Sequence, residues 1–496
     1  MKLSQLIAAI KEIAVQIPSI PEIHATGIET NSQKMQEGYI FVAIPGFVHD
    51  GHDFIGHAIQ RGAAAIVGEK NENLSVPYIR VTDSRAAAAK LAGAFYENPA
   101  KKHKLIGITG TNGKTTISYM LRHILAEAGL SCSLLGTVAY IINGENKKSS
   151  HTTPDAIQLQ KLLAESEDEY IIMEVSSHSL DQSRVEGIEF DLGIFTNLCH
   201  DHLDYHHTME NYFQIKASLF LKHLKRDGRA VINQLDEWGV RLTNLLHMEQ
   251  KKIFTVGKSS HNNMRIGRMN TSEKSIITLN EDGKKHIVHL SFPGLHNGYN
   301  AALAFAAAKL IGIPEEKIIR ALERFDGVPG RFEMYAHPAG ATFVIDYAHT
   351  QDAVEYCLNT ARHFGAKHIS HIYGFRGGRD PSKRKHIVEA SAGMSDSFIL
   401  TFDDLNGVNG DSMATELEQL AIQYGNGKGK VVSDRTVAIS EAWENAQAGD
   451  WVFITGKGPE LYKEMFSFPA HSDREMIETL LQDNIYSLHD AGTELY

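Results

Sequence analysis

Residues 105–120 read LIGITGTNGKTTISYM. Residues 105–109 form a short apolar run of β type. Gly110, Thr111, Asn112 and Gly113 make a tight polar turn. Lys114, Thr115 and Thr116 then open a helical pattern that places Met120, Leu121, Ile124 and Leu125 on one face. A strand, a glycine turn and a helix start together form a phosphate cradle. The glycines let backbone N–H groups approach an anion, and the helix N-terminus adds partial positive charge. From that junction Lys114 can reach the terminal phosphates of a nucleotide, and the Thr115 hydroxyl can hold Mg²⁺. The spacing departs from G-x-x-x-x-G-K-[ST], because position 108 is Ile108 and Gly107 falls one residue early. A purely structural turn is the competing reading. Gly-Lys-Thr at a strand-to-helix junction outweighs it.

The surrounding chain of 496 residues is too long for one ordinary core, so several domains are expected. Apolar residues make up 43% and charged residues 22%, the balance of a globular, soluble protein. Lys and Arg total 49 against 60 for Asp and Glu, a net charge of −11 that argues against general nucleic-acid binding. The three cysteines, Cys132, Cys199 and Cys357, are far apart and form no C-x-x-C pair, which suits a reducing cytoplasm. The N-terminal residues 1–18 read as an amphipathic helix rather than a leader. No apolar run approaches the roughly 20 residues that span a bilayer.

Outward from the cradle, strand-like and helical patterns alternate, which predicts an α/β chain in three domains. Residues 1–100 form a small α/β domain, with a polar turn at Asn31-Ser32-Gln33 and an alanine-rich helix over 86–96. Ser32 there can read a polar ligand edge or simply build the turn. Residues 101–330 form a central domain with a parallel sheet around the cradle. Residues 331–496 form a Rossmann-like domain, whose strands over 342–346, 369–373, 397–402 and 451–455 each release polar groups at the carboxyl end. Gly377-Gly378 after one of them lacks the G-x-G-x-x-G spacing and says little about nucleotides.

Two central strands end in groups of metal-ligand type. The run at 170–175 (YIIMEV) delivers Glu174 after four apolar residues, where a carboxylate costs desolvation unless paired. The run at 192–197 leads into Cys199-His200-Asp201-His202, with His206 and His207 beyond. Glu174 and His202 are the candidate ligands. A polar loop alone would also carry such histidines, and Mg²⁺ prefers oxygen donors. Lys216 lies in a largely apolar helical stretch at 212–221, where a lysine normally snorkels or pairs. Asn297 and Asn300, at i and i+3, either bind an adenine edge or cap the helix that follows.

Taken together, GITGTNGKTT (107–116), MEVSSH (173–178), NLCHDHLDYH (197–206), GRFE (330–333), DYAHT (346–350) and GKGPE (456–460) resemble the Mur ligase family over essentially the whole chain. The resemblance implies a UDP-substrate domain, an ATP-binding domain and an amino-acid-binding domain. It implies ATP contacts at Gly110, Thr111, Asn112, Gly113, Lys114, Thr115, Thr116, Asn297, Asn300, Arg331 and Asp346. Mg²⁺ would lie at Thr115, Glu174 and His202, with Lys216 carbamylated. Ser32 would lie near uracil, and Thr152, Thr153, Ser176, Gln182 and Arg184 would contact the muramoyl peptide. His349, Arg379, Asp403, Asp404, Asn406, Gly456 and Glu460 would lie on the amino-acid side.

The implied reaction is ATP-dependent amide ligation through an acyl phosphate, adding an amino acid to UDP-N-acetylmuramoyl-L-alanyl-D-glutamate in a cytoplasmic, monomeric enzyme. Several positions depart from the family pattern. Asn31-Ser32-Gln33 stands for Asp-Ser-Arg, Asp403-Asp404-Leu405-Asn406 for Asp-Asn-Pro-Arg, Pro459 for His, and Gln351 for Pro. Two aspartates with Glu460, and no arginine at 406, favour L-lysine over meso-diaminopimelate. The competing readings are a paralogue that joins other partners and a non-catalytic nucleotide-binding subunit. Folylpolyglutamate synthase shares the central fold but is disfavoured, because about 100 residues precede this cradle, the size of a separate domain.

Overall fold

The strand Lys104–Thr109 lies inside an 11-stranded sheet, between Phe190–Phe195 on one side and Tyr170–Glu174 on the other, both parallel to it. The computed structural model describes residues 1–46, 48–270 and 275–482; the end of the third expected domain, 483–496, lies outside them. The fold is a three-domain α/β arrangement with one sheet in each part. A five-stranded sheet carries the N-terminal part, and a six-stranded sheet the C-terminal part. The central sheet is parallel in its middle and ends in antiparallel hairpins at both edges. The carboxyl ends of its three adjacent middle strands release Gly110, Val175 and Thr196 side by side, the crevice where open α/β sheets bind ligands.

The helix Lys114–Glu127 buries Ile117, Met120, Leu121, Ile124 and Leu125, the face its spacing predicts. It packs against Leu295–Ile311, in which Ala301 to Ala308 are all buried. Alanine side chains let these two helices share one apolar layer under the sheet. At the far end of that layer, Lys309 Nζ bridges Glu281 (2.6 Å) and Glu315 (2.8 Å). Glu281, His286 and Glu315 have the mutual spacing of a metal site, but the lysine ammonium stands among their oxygens.

Several predicted elements differ in extent. The N-terminal helix stops at Ala8, and Ala14–Gln16 pairs antiparallel with Tyr78–Val81, because Val15 and its neighbours complete a sheet edge. Cys132–Leu135 and Ala139–Ile142 are two antiparallel strands at one edge of the central sheet, with Gly136 in the turn between them. The strands Lys252–Gly257, Met264–Asn270, Ser275–Glu281 and Lys284–Leu290 extend the central sheet where the sequence reading placed none. Asn297 and Asn300 lie inside Leu295–Ile311 rather than capping it.

The C-terminal sheet is anchored by a fully buried ion pair. Arg435 Nε and Nη2 donate to the two oxygens of Asp473 at 2.7 and 2.8 Å, and both residues are 0% exposed. Arg435→Ala strands that carboxylate, so it should cost about 3–5 kcal/mol. Chemical denaturation followed by tryptophan fluorescence, with Trp443 and Trp451 in this part, would read the loss.

Candidate active site

Gly110 takes φ +148°, and a Cβ there would lie 1.9 Å from Thr196 Oγ1, so only glycine lets the cradle meet the neighbouring strand end. Its carbonyl oxygen receives two amines. Lys114 Nζ donates to it at 2.9 Å and to Thr111 O at 2.8 Å, and Lys216 Nζ donates to it at 2.8 Å. Lys216 is 1% exposed and lies 4.6 Å from the centre of the Tyr212 ring. Burial, with Lys114 close by, pushes its amine well below the usual lysine range. Burial lowers Lys114 too, against the pull of Glu174 and Asp201. The helix carrying Lys216, Met209–Leu221, starts at the Thr208 cap and turns Tyr212, Phe213 and Ala217 inward with it.

Glu174 is 0% exposed. It accepts hydrogen bonds from Thr115 Oγ1 (2.9 Å), Thr137 Oγ1 (2.9 Å) and Thr137 N (3.0 Å). Among the described residues it has neutral donors and no ion-pair partner. A buried carboxylate of that kind, beside a threonine hydroxyl at a helix N-terminus, suits a hard divalent cation. Thr115 and Glu174 therefore fit Mg²⁺. Arg331 Nη2 reaches Thr115 Oγ1 at 3.2 Å from the start of the C-terminal part, and its Nε is buried without a hydrogen-bond partner.

His202 adopts φ +54°, a left-handed conformation unusual for histidine, at the head of the turn Leu203–His206. Its ring lies edge-on to His178 at 5.0 Å, and burial holds its pKa down to about 3, leaving a neutral imidazole. Asp201, 3% exposed, meets His202 Nε2 (3.4 Å), His349 Nε2 (3.5 Å) and Lys383 Nζ (3.0 Å). Burial opposes its charge, yet His202, His349 and Lys383 hold its carboxyl well below the usual range. Asp201 thus ties the central sheet to the C-terminal one, as does Asn112 Nδ2 to Thr350 Oγ1 at 3.2 Å. Asp201, Lys383, Thr137 and Arg376 were missed as site residues. Asp201 stood between two histidines in a quoted motif, whereas the other three carried no local signal.

One cleft of about 640 Å³ brings many of the expected residues together. Thr111 to Thr116, Thr152, Ser176, Arg184, His202, Asn297, Asn300, Arg331, Asp346, His349, Arg379, Asp403 and Gly456 line it. Others do not. Thr153 is fully buried, its hydroxyl bonded to Glu174 O at 2.7 Å, so it positions the strand end rather than facing a ligand. Gln182 lies behind Arg184 and accepts from its Nη2. Ser32 is in the N-terminal sheet region, 3.0 Å from His57 Nδ1. Asp346 does line the cleft, with both its oxygens accepting backbone amides, from Phe332 and Ala348.

The charge argument for lysine loses its basis here. Lys457 Nζ lies 3.1 Å from Asp403 and 2.6 Å from Asp404, and Lys463 also reaches Asp404. Glu460 is paired with Arg376. Asn406 holds the loop, donating to Gly377 O at 3.1 Å. These carboxylates are neutralised from within the protein, through partners more than fifty residues away in sequence.

Comparison with known proteins bears on the same architecture. Residues 24–101 match the profile of the Mur ligase family, catalytic domain; 108–308 match the Mur ligase middle domain; and 330–458 match the Mur ligase, glutamate ligase domain. The chain belongs to the Mur ligase family. A UDP-N-acetylmuramoyl-L-alanyl-D-glutamate–2,6-diaminopimelate ligase of Clostridium botulinum is 39% identical, over 92% of this chain and 95% of its own. The ligase of the same name from Aquifex aeolicus is 38% identical, over 92% and 93%. A solved structure bearing that enzyme's name superposes with a TM-score of 0.68 at 27% identity, covering 98% of this Mur ligase and 99% of its own chain. This Mur ligase is an ATP-dependent acid–amino-acid ligase, and among its described residues no helix is long and apolar enough to cross a membrane.

A Cβ on Gly136 would lie 2.2 Å from Glu174 Oε1. Gly136→Ala should therefore displace the carboxylate without removing it, and weaken Mg²⁺-dependent nucleotide binding by about 10- to 100-fold. Calorimetry with ADP, with and without Mg²⁺, measures this.

Proposed function

We propose that this Mur ligase joins an amino acid to the glutamyl carboxylate of UDP-N-acetylmuramoyl-L-alanyl-D-glutamate, supplying a peptidoglycan precursor. The observation that carries the reading is one cleft in which the phosphate cradle, the buried Asp201 carboxylate and the C-terminal strand ends face one another. The names of its relatives agree with this acceptor. A cytoplasmic monomer, with Ser32 near the uridine end, belongs to the same reading.

The chemistry has two steps. The acceptor carboxylate oxygen bonds to the γ-phosphorus of ATP as the bridging P–O bond breaks, giving an acyl phosphate and ADP. The amino group of the incoming amino acid then bonds to the acyl carbon, loses a proton, and inorganic phosphate leaves. Bringing carboxylate and phosphate to about 4 Å costs about 4 kcal/mol per charge pair at an effective dielectric near 20. Lys114 and Arg331 flank the point of approach and offset that repulsion. Mg²⁺, held by Thr115, Glu174 and neutral His202, would add charge neutralisation there. Walls from two sheets align the reactants and keep water out.

A depressed Lys216 amine is the form that adds to CO₂, forming an N–C bond and releasing a proton to leave a carbamate. That anion would replace a buried amine repelled by Lys114 with a partner for it, and would join the metal ligands. Lys216→Ala should lose ligation and regain part of it with short carboxylic acids. Undiminished turnover, or no rescue, counts against the carbamate. The acceptor is tested by phosphate release with ATP, the UDP-muramoyl dipeptide and a panel of amino acids. Release that requires both that acceptor and an amino acid is expected, and release indifferent to the acceptor would favour a paralogue with another substrate.

A further inference from the structure

The edge hairpin of the central sheet buries one face, and that face is apolar except at its end. Ile277, Leu279, Val288 and Leu290 are buried along it, and Glu281 and His286 follow them inward, each 8% exposed. His286 pairs opposite Leu279, so it shares a sheet face with Glu281, two residues further along. Glu315, in the first turn of the helix Glu315–Glu323, meets them there. One potential ligand atom from each of the three lies within 4.8 Å of the other two. None of the three lines the cleft.

Lys309 Nζ answers the two carboxylates, at 2.6 Å from Glu281 and 2.8 Å from Glu315, but it does not account for the histidine. His286 Nε2 is buried with no hydrogen-bond partner among the described residues, and Glu315 Oε2 stands 3.8 Å from it. A buried ring nitrogen left without a partner is costly. A metal ion accounts for all three side chains. Atoms that share one at about 2.0–2.2 Å lie about 3–4 Å apart, as Nε2 and Oε2 do. Lys309 has a way out, because its side chain is 30% exposed. With it withdrawn, a divalent ion balances both carboxylates, which one ammonium does not. Lys284, 4.0 Å from Glu315 and 71% exposed, adds only a screened charge.

We propose that Glu281, His286 and Glu315 bind a divalent cation of the zinc class, and that Lys309 is the displaceable cation that holds its place. One imidazole and two carboxylates suit Zn²⁺, whereas Mg²⁺ takes oxygen donors and would not recruit the histidine. This ion is distinct from the Mg²⁺ of the cleft. It would brace the edge hairpin against the helix layer. Lys309 lies near one end of the helix Leu295–Ile311, and Asn297 and Asn300 near its other end line the cleft.

The test titrates Zn²⁺ by calorimetry into the full chain kept in excess Mg²⁺ and ADP, so that the cradle is already filled. Wild type, His286→Asn and Lys309→Met are compared, with thermal melting followed in parallel. Wild type should take up one Zn²⁺ that His286→Asn binds at least about 10-fold more weakly. Lys309→Met should bind it at least about 10-fold more tightly than wild type, because no ammonium competes for the carboxylates. The Tm of wild type should rise with Zn²⁺ concentration, and that of His286→Asn should not. No bound Zn²⁺ in wild type, equal binding by wild type and His286→Asn, or binding that Lys309→Met fails to tighten overturns the proposal. If Lys309→Met does not fold alone, a cooperative melt restored by Zn²⁺ and not by Mg²⁺ supports the site, and no restoration overturns it.

Discussion

Two lysine amines converge on one backbone oxygen, that of Gly110, and much of the cleft follows from this meeting. One carbonyl cannot comfortably serve two full positive charges in a buried place, so the deeper amine, Lys216, is driven toward its neutral form. Gly110 can offer that oxygen only because its positive-φ backbone passes within contact of Thr196, just beyond the adjacent strand. The cradle, the strand order and the helix that delivers Lys216 are thereby fixed relative to one another. A polar knot of this kind is expensive to bury and gains its value only in a site that handles anions.

Around that knot the sheet works as a positioning device. Three adjacent parallel strands end at one level, so Gly110, Glu174 and Thr196 arrive together though they are distant in sequence. The C-terminal part closes the other side through few but directed contacts. Arg331 meets Thr115, Thr350 meets Asn112 and Lys383 meets Asp201. Each joins a group on the cradle side to one on the opposite sheet, so the reacting centre belongs to neither alone.

Much of this was readable from the chain. The apolar run before Glu174 announced a strand ending in a costly carboxylate, and the face of the Lys114–Glu127 helix followed its spacing. What escaped reading was pairing across long separations. Asp403, Asp404 and Glu460 look like free acceptors in a linear sequence. Their cations, Lys457 and Arg376, lie on other strand ends and appear only once the sheet is assembled. The edge hairpins over 264–290 escaped for a different reason. Their alternating burial is that of half-solvated strands, which local composition marks weakly. Thr153 shows the converse, a residue expected at the muramoyl peptide whose hydroxyl instead serves the backbone of Glu174.

The placement of Lys383 on Asp201 makes the cleft a shared structure. The cleft is walled partly by the C-terminal sheet, whereas the anchor points of that sheet, Thr115 and Asp201, belong to the side that carries the glycine turn. A chamber whose walls sit on separate sheets has its full shape only while they touch. A substitution at Lys383 or Arg331 would therefore alter the shape of both halves of the chamber at once.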